Sequence, residues 1–368
     1  MRIGVPREIK QNELRVGLTP GSVSELVWQG HEVVVEKDAG HGIKASDGDY
    51  IKAGARILND PEKIFDAAEL IVKVKEPQLE ECARLRSDHT LFTYLHLAAN
   101  RRQTEALMAS GCTAIAYETV TGDAGNLPLL QPMSEVAGRL SIQAGAYALQ
   151  SANGGAGILL SGAPGTKSAN IIILGGGVAG ENALQMALGA RARCTVFETC
   201  LSRISGLDRI YGANAQVEFS TKDAIAESIR TADLVIGAVL IPGALAPKLV
   251  NRDMLGNMKP GAVLVDISID QGGCFETSKP TTHDNPTYVV DDIVHYCVAN
   301  MPGAVPQTST VALNNATLKY VLRLAGEGVH NALVSDRHLL AGLHVWRGGI
   351  AHPVVAGDLG MQHREFVH

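Results

Sequence analysis

The segment NIIILGGGVAGENALQMAL, residues 170–188, constrains the fold more than any other part of this chain. A β-branched run leads directly into the pattern Gly175-x-Gly177-x-x-Gly180, and helix-forming residues follow it. A glycine pattern alone is a weak signal, but a strand before it and a helix after it are typical of a dinucleotide-binding turn. The first glycine allows the tight turn, the second lets pyrophosphate approach the backbone, and the third lets helix and strand pack closely. The amino terminus of the helix then offers N–H groups to the phosphates.

Glu198 lies where a dinucleotide-binding unit carries an acidic residue, about 20 positions beyond the glycines at the end of the next strand. A carboxylate there accepts hydrogen bonds from the ribose hydroxyls and repels the 2′-phosphate of NADP, so we expect NAD. Arg203 follows shortly and could soften that preference. The alternatives are a glycine-rich turn without a ligand and a solvated glutamate at a strand end.

The whole chain alternates strands with helices, which favours an α/β fold with parallel sheets covered on both faces. We expect strands at residues 2–5, 32–36, 69–74, 90–95, 112–117, 170–174, 194–198, 234–239 and 262–267. We expect helices at 20–30 (with Gly30 as the carboxyl-terminal cap), 78–86, 101–110, 134–151 and 178–188, and helical segments again from about residue 310. The long helix near 134–151 separates two such series, which indicates two α/β domains.

Composition narrows the class of protein. Only 19% of the residues are charged, against about 25% in a typical globular chain, which favours surface hidden in an oligomer. The net charge of −6 argues against a nucleic-acid-binding protein. Six scattered cysteines predict reduced thiols in a cytoplasmic protein. The start lacks the apolar run of a signal peptide, and polar residues interrupt the uncharged stretch 140–166, so we expect no membrane segment.

Several polar residues end apolar strands, where parallel sheets place their ligands. His96 follows TLFTYL and suits proton transfer near neutral pH, although a surface histidine is the plain alternative. Lys73 and Lys75 lie at the end of ELIVKVK, where solvation is the plain alternative. Asp266 and Asp270 follow the strand in AVLVDISIDQGG. The twelve histidines form no metal-binding motif, so we expect no metal, and no nucleophile elbow or phosphate-binding P-loop occurs.

Seven segments together resemble the alanine dehydrogenases and the related soluble subunit of transhydrogenases. In chain order they are MRIGVPREIKQNELRVGLTP, VKVKEP, LFTYLHLA, ILGGGVAGENA, GAVLIPGALAPKLV, VLVDISIDQGG and NMPGAVPQTST. The resemblance covers nearly the whole chain. It implies a substrate domain built from residues 1–128 plus 307–368 and an inserted NAD-binding domain at 129–306. Both domains would be Rossmann-like and doubly wound, with the active site in the interdomain cleft.

The resemblance also implies roles for individual residues. Arg15 and Lys75 match the positions that hold the substrate, and His96 and Asp270 match the two catalytic acid/base positions. The matching cofactor positions are Gly175, Gly177, Val178, Ala179, Gly180, Glu198, Arg203, Ser134, Ser220, Ile267, Asn300 and Met301. Glu198 departs from the family, which usually has aspartate there, and the longer side chain shifts the hydrogen bonds to the ribose.

The implied activity is reversible NAD-dependent deamination of L-alanine to pyruvate and ammonia, by a cytoplasmic homohexamer. Three alternatives stay open at this stage. One is the nucleotide-binding module of a proton-translocating transhydrogenase, which has no need for the pair His96 and Asp270. Another is a dehydrogenase for a different small amino acid, and a third is a non-catalytic NAD-binding protein.

Overall fold

The computed structural model describes residues 1–239 and 245–367, and these form two compact units. The terminal unit comprises Met1–Met133 and Val305–His368, so both ends of the chain belong to it. The central unit comprises Ser134–Ala304.

The strands and helices follow one another in the alternation expected of an α/β chain. The strands are β1 Arg2–Val5, β2 Glu32–Glu36, β3 Arg56–Leu58, β4 Leu70–Val72, β5 Thr90–Thr93, β6 Thr113–Ala116, β7 Asn170–Leu174, β8 Arg193–Glu198, β9 Gln216–Phe219, β10 Leu234–Gly237, β11 Val263–Asp266, β12 Thr287–Val290, β13 Ile293–Tyr296, β14 Leu343–Trp346 and β15 Gly349–Ile350. The helices are α1 Pro20–Trp28, α2 Asp47–Lys52, α3 Pro61–Ala67, α4 Leu79–Cys82, α5 Arg101–Ser110, α6 Gln131–Ala148, α7 Val178–Gly189, α8 Leu201–Tyr211, α9 Lys222–Ile229, α10 Arg252–Leu255, α11 Pro306–Glu327, α12 Val329–Ser335, α13 Arg337–Leu340 and α14 Pro353–Leu359.

Each unit is built on one sheet with the strand order of a doubly wound Rossmann fold. In the terminal unit the order is β15-β14-β6-β5-β4-β1-β2-β3, and the strands from β6 to β3 are parallel. In the central unit it is β12-β13-β11-β10-β7-β8-β9, and the strands from β13 to β9 are parallel. The order reverses between β1 and β4 and between β7 and β10, which are the positions where such sheets bind ligands.

Continuous apolar strands fill both faces of the central sheet, as a sheet covered by helices requires. Alternate residues of β7 point to opposite faces. Ile171 and Ile173 belong to the core cluster on one face, whereas Ile172 and Leu174 belong to the cluster on the other. The strand predicted at residues 170–174 is therefore confirmed, and it is buried on both faces.

The predicted parallel sheets are confirmed, but each one also has antiparallel strands at an edge. β12 runs antiparallel to β13, and β14 runs antiparallel to both β6 and β15. Two-residue turns at Asp291–Asp292 and Arg347–Gly348 join these hairpins, and both residues of each turn have positive φ. Such turns suit the twist of antiparallel strands, but Asp-Asp and Arg-Gly are weaker sequence signals than Asn-Gly. The sequence patterns therefore did not predict these hairpins.

The helices agree with expectation in position but differ in length. The helix predicted at 78–86 is only Leu79–Cys82, and the long helix near 134–151 is Gln131–Ala148. Helix α1 ends at Trp28 and its cap is Gln29, so Gly30, which was predicted as the cap, lies one position beyond it with φ +85°. Within residues 1–239 and 245–367, no helix combines the length and the apolar character that crossing a membrane requires.

Lys73 is fully buried, so the solvated alternative for this lysine is wrong. Its ammonium group donates to Glu81 at 2.7 Å and to Glu8 at 3.1 Å. Glu8 also accepts the backbone N–H of Val74 at 2.7 Å. Burial, together with the nearby carboxylate of Glu81, outweighs the attraction of Lys73 and raises the pKa of Glu8 to about 7. This cluster fixes the loop after β1 against the end of β4.

Replacing Glu8 by glutamine should change how stability depends on pH. The folded protein holds a proton on Glu8 up to about pH 7, whereas the unfolded chain releases it near 4.5. The contribution of Glu8 to the free energy of unfolding is therefore fully present below pH 4.5. It is lost as pH rises through 7, and the loss amounts to roughly 3 kcal/mol at most. Glutamine stays neutral, so the Tm of Glu8→Gln relative to wild type should rise between pH 5 and pH 8.

Thermal unfolding at several pH values measures this difference. Glu32→Gln, which changes an exposed glutamate of the same unit, is the matched control and should show a constant difference. A constant difference for Glu8→Gln would contradict the raised pKa.

Candidate active site

The glycine turn has the geometry that its spacing predicts. Gly175 has φ +100°, a conformation that favours glycine, and an added Cβ would lie 2.8 Å from the carbonyl oxygen of Ala238. A Cβ on Gly180 would lie 1.8 Å from the carbonyl oxygen of Gly175, so only glycine lets α7 approach the turn this closely. A Cβ on Gly177 would meet no described atom within 4 Å. The first and third glycines are thus required by close approaches of backbone atoms. The second leaves open space at the start of α7.

Glu198 is held at the end of β8 by backbone N–H groups. One carboxylate oxygen accepts the N–H of Gly176 at 2.9 Å. The other accepts the N–H groups of Thr199 at 2.7 Å and Cys200 at 2.9 Å. The side chain is half-buried and faces the glycine turn, so it is not a freely solvated strand end. This places a fixed negative charge next to the candidate pyrophosphate site.

Arg203 lies beside the same turn, but its charge is already paired. Its Nε donates to the carbonyl oxygen of Gly176 at 2.6 Å, and its guanidinium forms an ion pair with Glu181 of α7. The hydroxyl of Tyr211 donates to the other oxygen of Glu181 at 2.9 Å.

The other predicted cofactor positions are Ser134, Ser220, Ile267, Asn300 and Met301. Ser134 lies in α6, whereas the other four follow the carboxyl ends of β9, β11 and β13. These strands are parallel to β7, so the four positions leave the same edge of the central sheet as the glycine turn. The segment after β10 that resembles a family motif includes residues 240–244, which lie outside the described residues.

The two aspartates after β11 have different environments. Asp266 is fully buried and accepts the N–H groups of Ser268 at 3.0 Å and Cys274 at 2.9 Å, as well as the hydroxyl of Ser278. Burial raises its pKa, although these hydrogen bonds oppose the shift. Asp270 is exposed on the 3₁₀ turn that Asp266 anchors. Asp270 is therefore the aspartate that can reach a reacting molecule.

Arg15 is almost completely buried in the terminal unit. Its Nε and Nη2 donate to the two carboxylate oxygens of Glu13, at 2.7 and 2.6 Å, and Nη1 contacts the sulfur of Met133 at 3.0 Å. Burial lowers the pKa of Arg15, but Glu13 outweighs it and the pKa lies above its ordinary value. The two-point contact fixes the plane of the guanidinium group.

Lys75 follows β4 and is 7% exposed, so the solvated alternative is wrong for this lysine too. Its carbonyl oxygen accepts the hydroxyl of Thr93 at 3.0 Å, which ties it to the neighbouring strand β5. Burial alone would raise the pKa of Glu76, but the charges of Lys75 and Lys10 hold it below the ordinary value. Lys75 is thus a buried cation at the carboxyl edge of the terminal sheet.

His96 follows β5 and is exposed at the same edge. Its backbone has φ +50°, which is uncommon for a residue with a side chain. The imidazole stacks on the ring of Tyr94, with centroids 6.0 Å apart and an angle of 11° between the planes. Because β1, β4 and β5 are adjacent and parallel, the loops that carry Arg15, Lys75 and His96 leave one edge of one sheet.

Sequence reasoning missed two carboxylates in the terminal unit. Glu13 pairs with Arg15, and Glu118 accepts the backbone N–H of His96 at 2.7 Å. Glu118 follows β6 directly, the same position relative to a strand that singled out His96. That position was a usable signal, but nothing local indicated which residue Glu118 contacts.

Both units match domains of one known family. Residues 4–137 match the domain described as "Alanine dehydrogenase/PNT, N-terminal domain". Residues 141–353 match "Alanine dehydrogenase/PNT, C-terminal domain".

Curated relatives and solved structures agree with these matches. The chain is 57% identical to the alanine dehydrogenase of Halomonas elongata over 99% of this chain and 98% of that protein. It is 52% identical to the alanine dehydrogenase of Mycolicibacterium smegmatis, over 98% and 97% of the two chains. A solved L-alanine dehydrogenase has a TM-score of 0.94 at 48% identity, covering 98% of this chain and 99% of that one. A transhydrogenase from Sinorhizobium meliloti has a TM-score of 0.80 at 25% identity, covering 96% and 99%.

Alanine substitutions at two glycines of the turn should have different effects on stability. Gly180→Ala places a methyl group against the carbonyl of Gly175, so we expect a loss of roughly 1–3 kcal/mol and a lower Tm. Gly177→Ala serves as the matched control, because its φ of −67° suits alanine and its methyl group meets no described atom. Thermal unfolding of both variants tests the assignment, and equal Tm values would contradict it.

Proposed function

The chain belongs to the alanine dehydrogenase/PNT family, and from that premise we propose that it converts L-alanine and NAD to pyruvate, ammonia and NADH, and catalyses the reverse reaction. One observation carries the proposal: Arg15, Lys75 and His96 follow neighbouring parallel strands and leave one edge of the terminal sheet. An anion-binding arginine, a buried lysine and an exposed histidine are the groups that amino-acid deamination needs.

The family implies a nicotinamide cofactor, and residues of the central unit fit a dinucleotide. The glycine turn would hold the pyrophosphate where Gly177 leaves open space, and Glu198 would accept hydrogen bonds from the ribose. We assign NAD rather than NADP, because Glu198 repels a 2′-phosphate. Bound NAD supplies the hydride acceptor. The further contacts that we propose are Val178, Ala179, Ser134, Ser220, Ile267, Asn300 and Met301.

We assign the substrate carboxylate to Arg15. Glu13 fixes the plane of its guanidinium group, and planar two-point pairing with a carboxylate is the geometry that arginine favours. Lys75 would stabilise the negative charge that develops on the substrate oxygen. Both cations are buried, so water screens them less than it would on the surface.

His96 and Asp270 carry the proton steps. The amine of alanine must be neutral before its α-carbon can release a hydride, so one step removes a proton there. Water then attacks the resulting iminium carbon and loses a proton. The carbinolamine gains a proton on nitrogen and loses its hydroxyl proton as it collapses to pyruvate and ammonia. Both side chains are exposed on loops at the carboxyl ends of parallel strands, which suits groups that exchange protons with substrate and water.

A transhydrogenase-like nucleotide-binding module is the second candidate. The similarity to a transhydrogenase supports it, but that similarity is lower in both TM-score and identity than the similarity to an L-alanine dehydrogenase. Hydride exchange between two nucleotides does not require an arginine for a small carboxylate or an acid/base pair. The amino-acid reaction accounts for more of the described residues.

We also propose a homohexamer in the cytoplasm. Apolar side chains at the surface support self-association, among them Trp28 at 81% exposure and Leu159 at 65%. The six cysteines are free thiols, five of them buried, which suits a reducing compartment. Sedimentation velocity tests the assembly, and a monomer at micromolar concentration would contradict it.

A direct assay tests the reaction. The purified protein, mixed with L-alanine and NAD, should produce NADH, and pyruvate with ammonia and NADH should consume it. Omitting ammonia should stop the reverse reaction. Binding of NADH without activity in either direction would overturn the proposal in favour of the nucleotide-binding module.

His96→Ala should lower kcat at least 100-fold, since general acid/base catalysis contributes about 10²–10⁴. His41→Ala, at an exposed histidine of the same unit, is the control and should retain wild-type kcat. Steady-state rates with L-alanine and NAD measure both variants. Near-normal turnover of His96→Ala would remove the assigned role.

Glu198→Gln should weaken the preference for NAD. It removes the negative charge that repels the 2′-phosphate, so the ratio of kcat/KM for NAD over NADP should fall by about tenfold or more, a change of about 1.4 kcal/mol. Asp208→Asn, which removes an exposed charge on α8, is the control. An unchanged ratio for Glu198→Gln would count against the ribose assignment.

A further inference from the structure

Glu118 is attached to the backbone of the loop that presents His96. Both of its carboxylate oxygens lie 3.2 Å from the N–H of Leu95, and one of them accepts the N–H of His96 at 2.7 Å. Glu118 follows β6, and β6 pairs with β5 in parallel register, so the carboxylate reaches the loop across one strand spacing. Two consecutive N–H groups therefore converge on one carboxylate.

The backbone at His96 needs such an anchor. Its φ of +50° and ψ of +39° lie in the left-handed region, which costs a residue with a side chain about 1–2 kcal/mol. Neither Leu95 nor His96 belongs to β5, which ends at Thr93, so their N–H groups lie beyond the end of the strand. Hydrogen bonds to a charged acceptor are about twice as strong as those between neutral groups. The carboxylate thus offsets the strain and fixes the direction in which the imidazole leaves the loop.

We infer that Glu118 is a positioning residue, which holds His96 in the orientation required for proton transfer. The inference rests on the proposed role of His96 and assigns to Glu118 no contact with the substrate. Glu118 would act by keeping the imidazole within reach of the reacting atoms, where a displacement of about 1 Å can lower a rate 100-fold.

The electrostatics of Glu118 agree with this role. Burial alone would raise its pKa, but the nearby side chains of His96 and His344, together with the N–H of His96, outweigh burial and hold the pKa below the ordinary value. The adjacent Thr119 is bonded through its hydroxyl to Nε2 of the buried His344 at 2.9 Å, which fixes the segment on its other side. Glu118 is therefore an ionised acceptor on a fixed backbone.

Glu118→Gln tests the inference, because glutamine keeps the size but replaces one acceptor oxygen with an NH₂ group. We expect kcat for alanine deamination to fall about 10–100-fold while KM for NAD and Tm stay close to wild type. Glu105→Gln, at an exposed glutamate of α5, is the matched control and should behave as wild type. A fall in Tm with proportional loss of NAD binding, or an unchanged kcat, would overturn the positioning role.

A double-mutant cycle separates action through His96 from independent action. In the His96→Ala background, Glu118→Gln should lower the residual kcat less than twofold, because the group that it positions is gone. Equal losses in both backgrounds would overturn the inference. If Glu118→Gln does not fold, Glu118→Asp replaces it in the same double-mutant cycle, and the expected result is the same.

Hydrogen exchange gives a readout that does not depend on the reaction. The amides of Leu95 and His96 should exchange faster in Glu118→Gln than in wild type, and the rest of β5 should not change. If the wild-type protein proves inactive with alanine but exchange is still faster in Glu118→Gln, the contact stands and only the proposed function is removed. Unchanged exchange at these amides would remove the contact itself.

Discussion

Parallel strand pairing is the constraint on which the candidate residues of each unit depend. Six parallel strands in each unit present their carboxyl ends along one edge, and the strand order reverses near the middle of that edge. Inside the strands the backbone N–H and C=O groups are paired with neighbouring strands. The candidate functional residues therefore lie in the loops. Arg15, Lys75 and His96 leave the edge of one sheet, and the glycine turn and Asp270 leave the edge of the other.

Carboxyl oxygens hold these loops in place by one recurring kind of contact. Glu8, Glu118, Glu198 and Asp266 each accept backbone N–H groups just beyond a strand, where the ladder no longer supplies partners. A buried N–H without a partner is costly, and a carboxyl oxygen beside the end of the strand satisfies it. These acidic residues thus stabilise the backbone at the places where strands end.

Anchoring carboxylates lie close in sequence to the candidate site residues. Asp266 is buried and bonded to the backbone, whereas Asp270, four residues later, is exposed. Glu13 orients Arg15 from two residues away. Such spacing lets one short loop hold itself rigid while it presents a functional group, and rigid presentation is what catalysis by positioned groups requires.

The sequence by itself determined the α/β class, most of the parallel strands and the turn at Gly175, because periodicity and turn chemistry act over a few residues. It also identified the strand ends where chemistry could lie. The tertiary structure decided that Lys73 is buried, that β12 and β14 are antiparallel, and that Glu118 meets His96. The contact between Glu118 and His96 joins residues 22 positions apart, and the contact between Glu8 and Val74 joins residues 66 positions apart. Strand order brings such partners together, and no local pattern encodes which ones will meet.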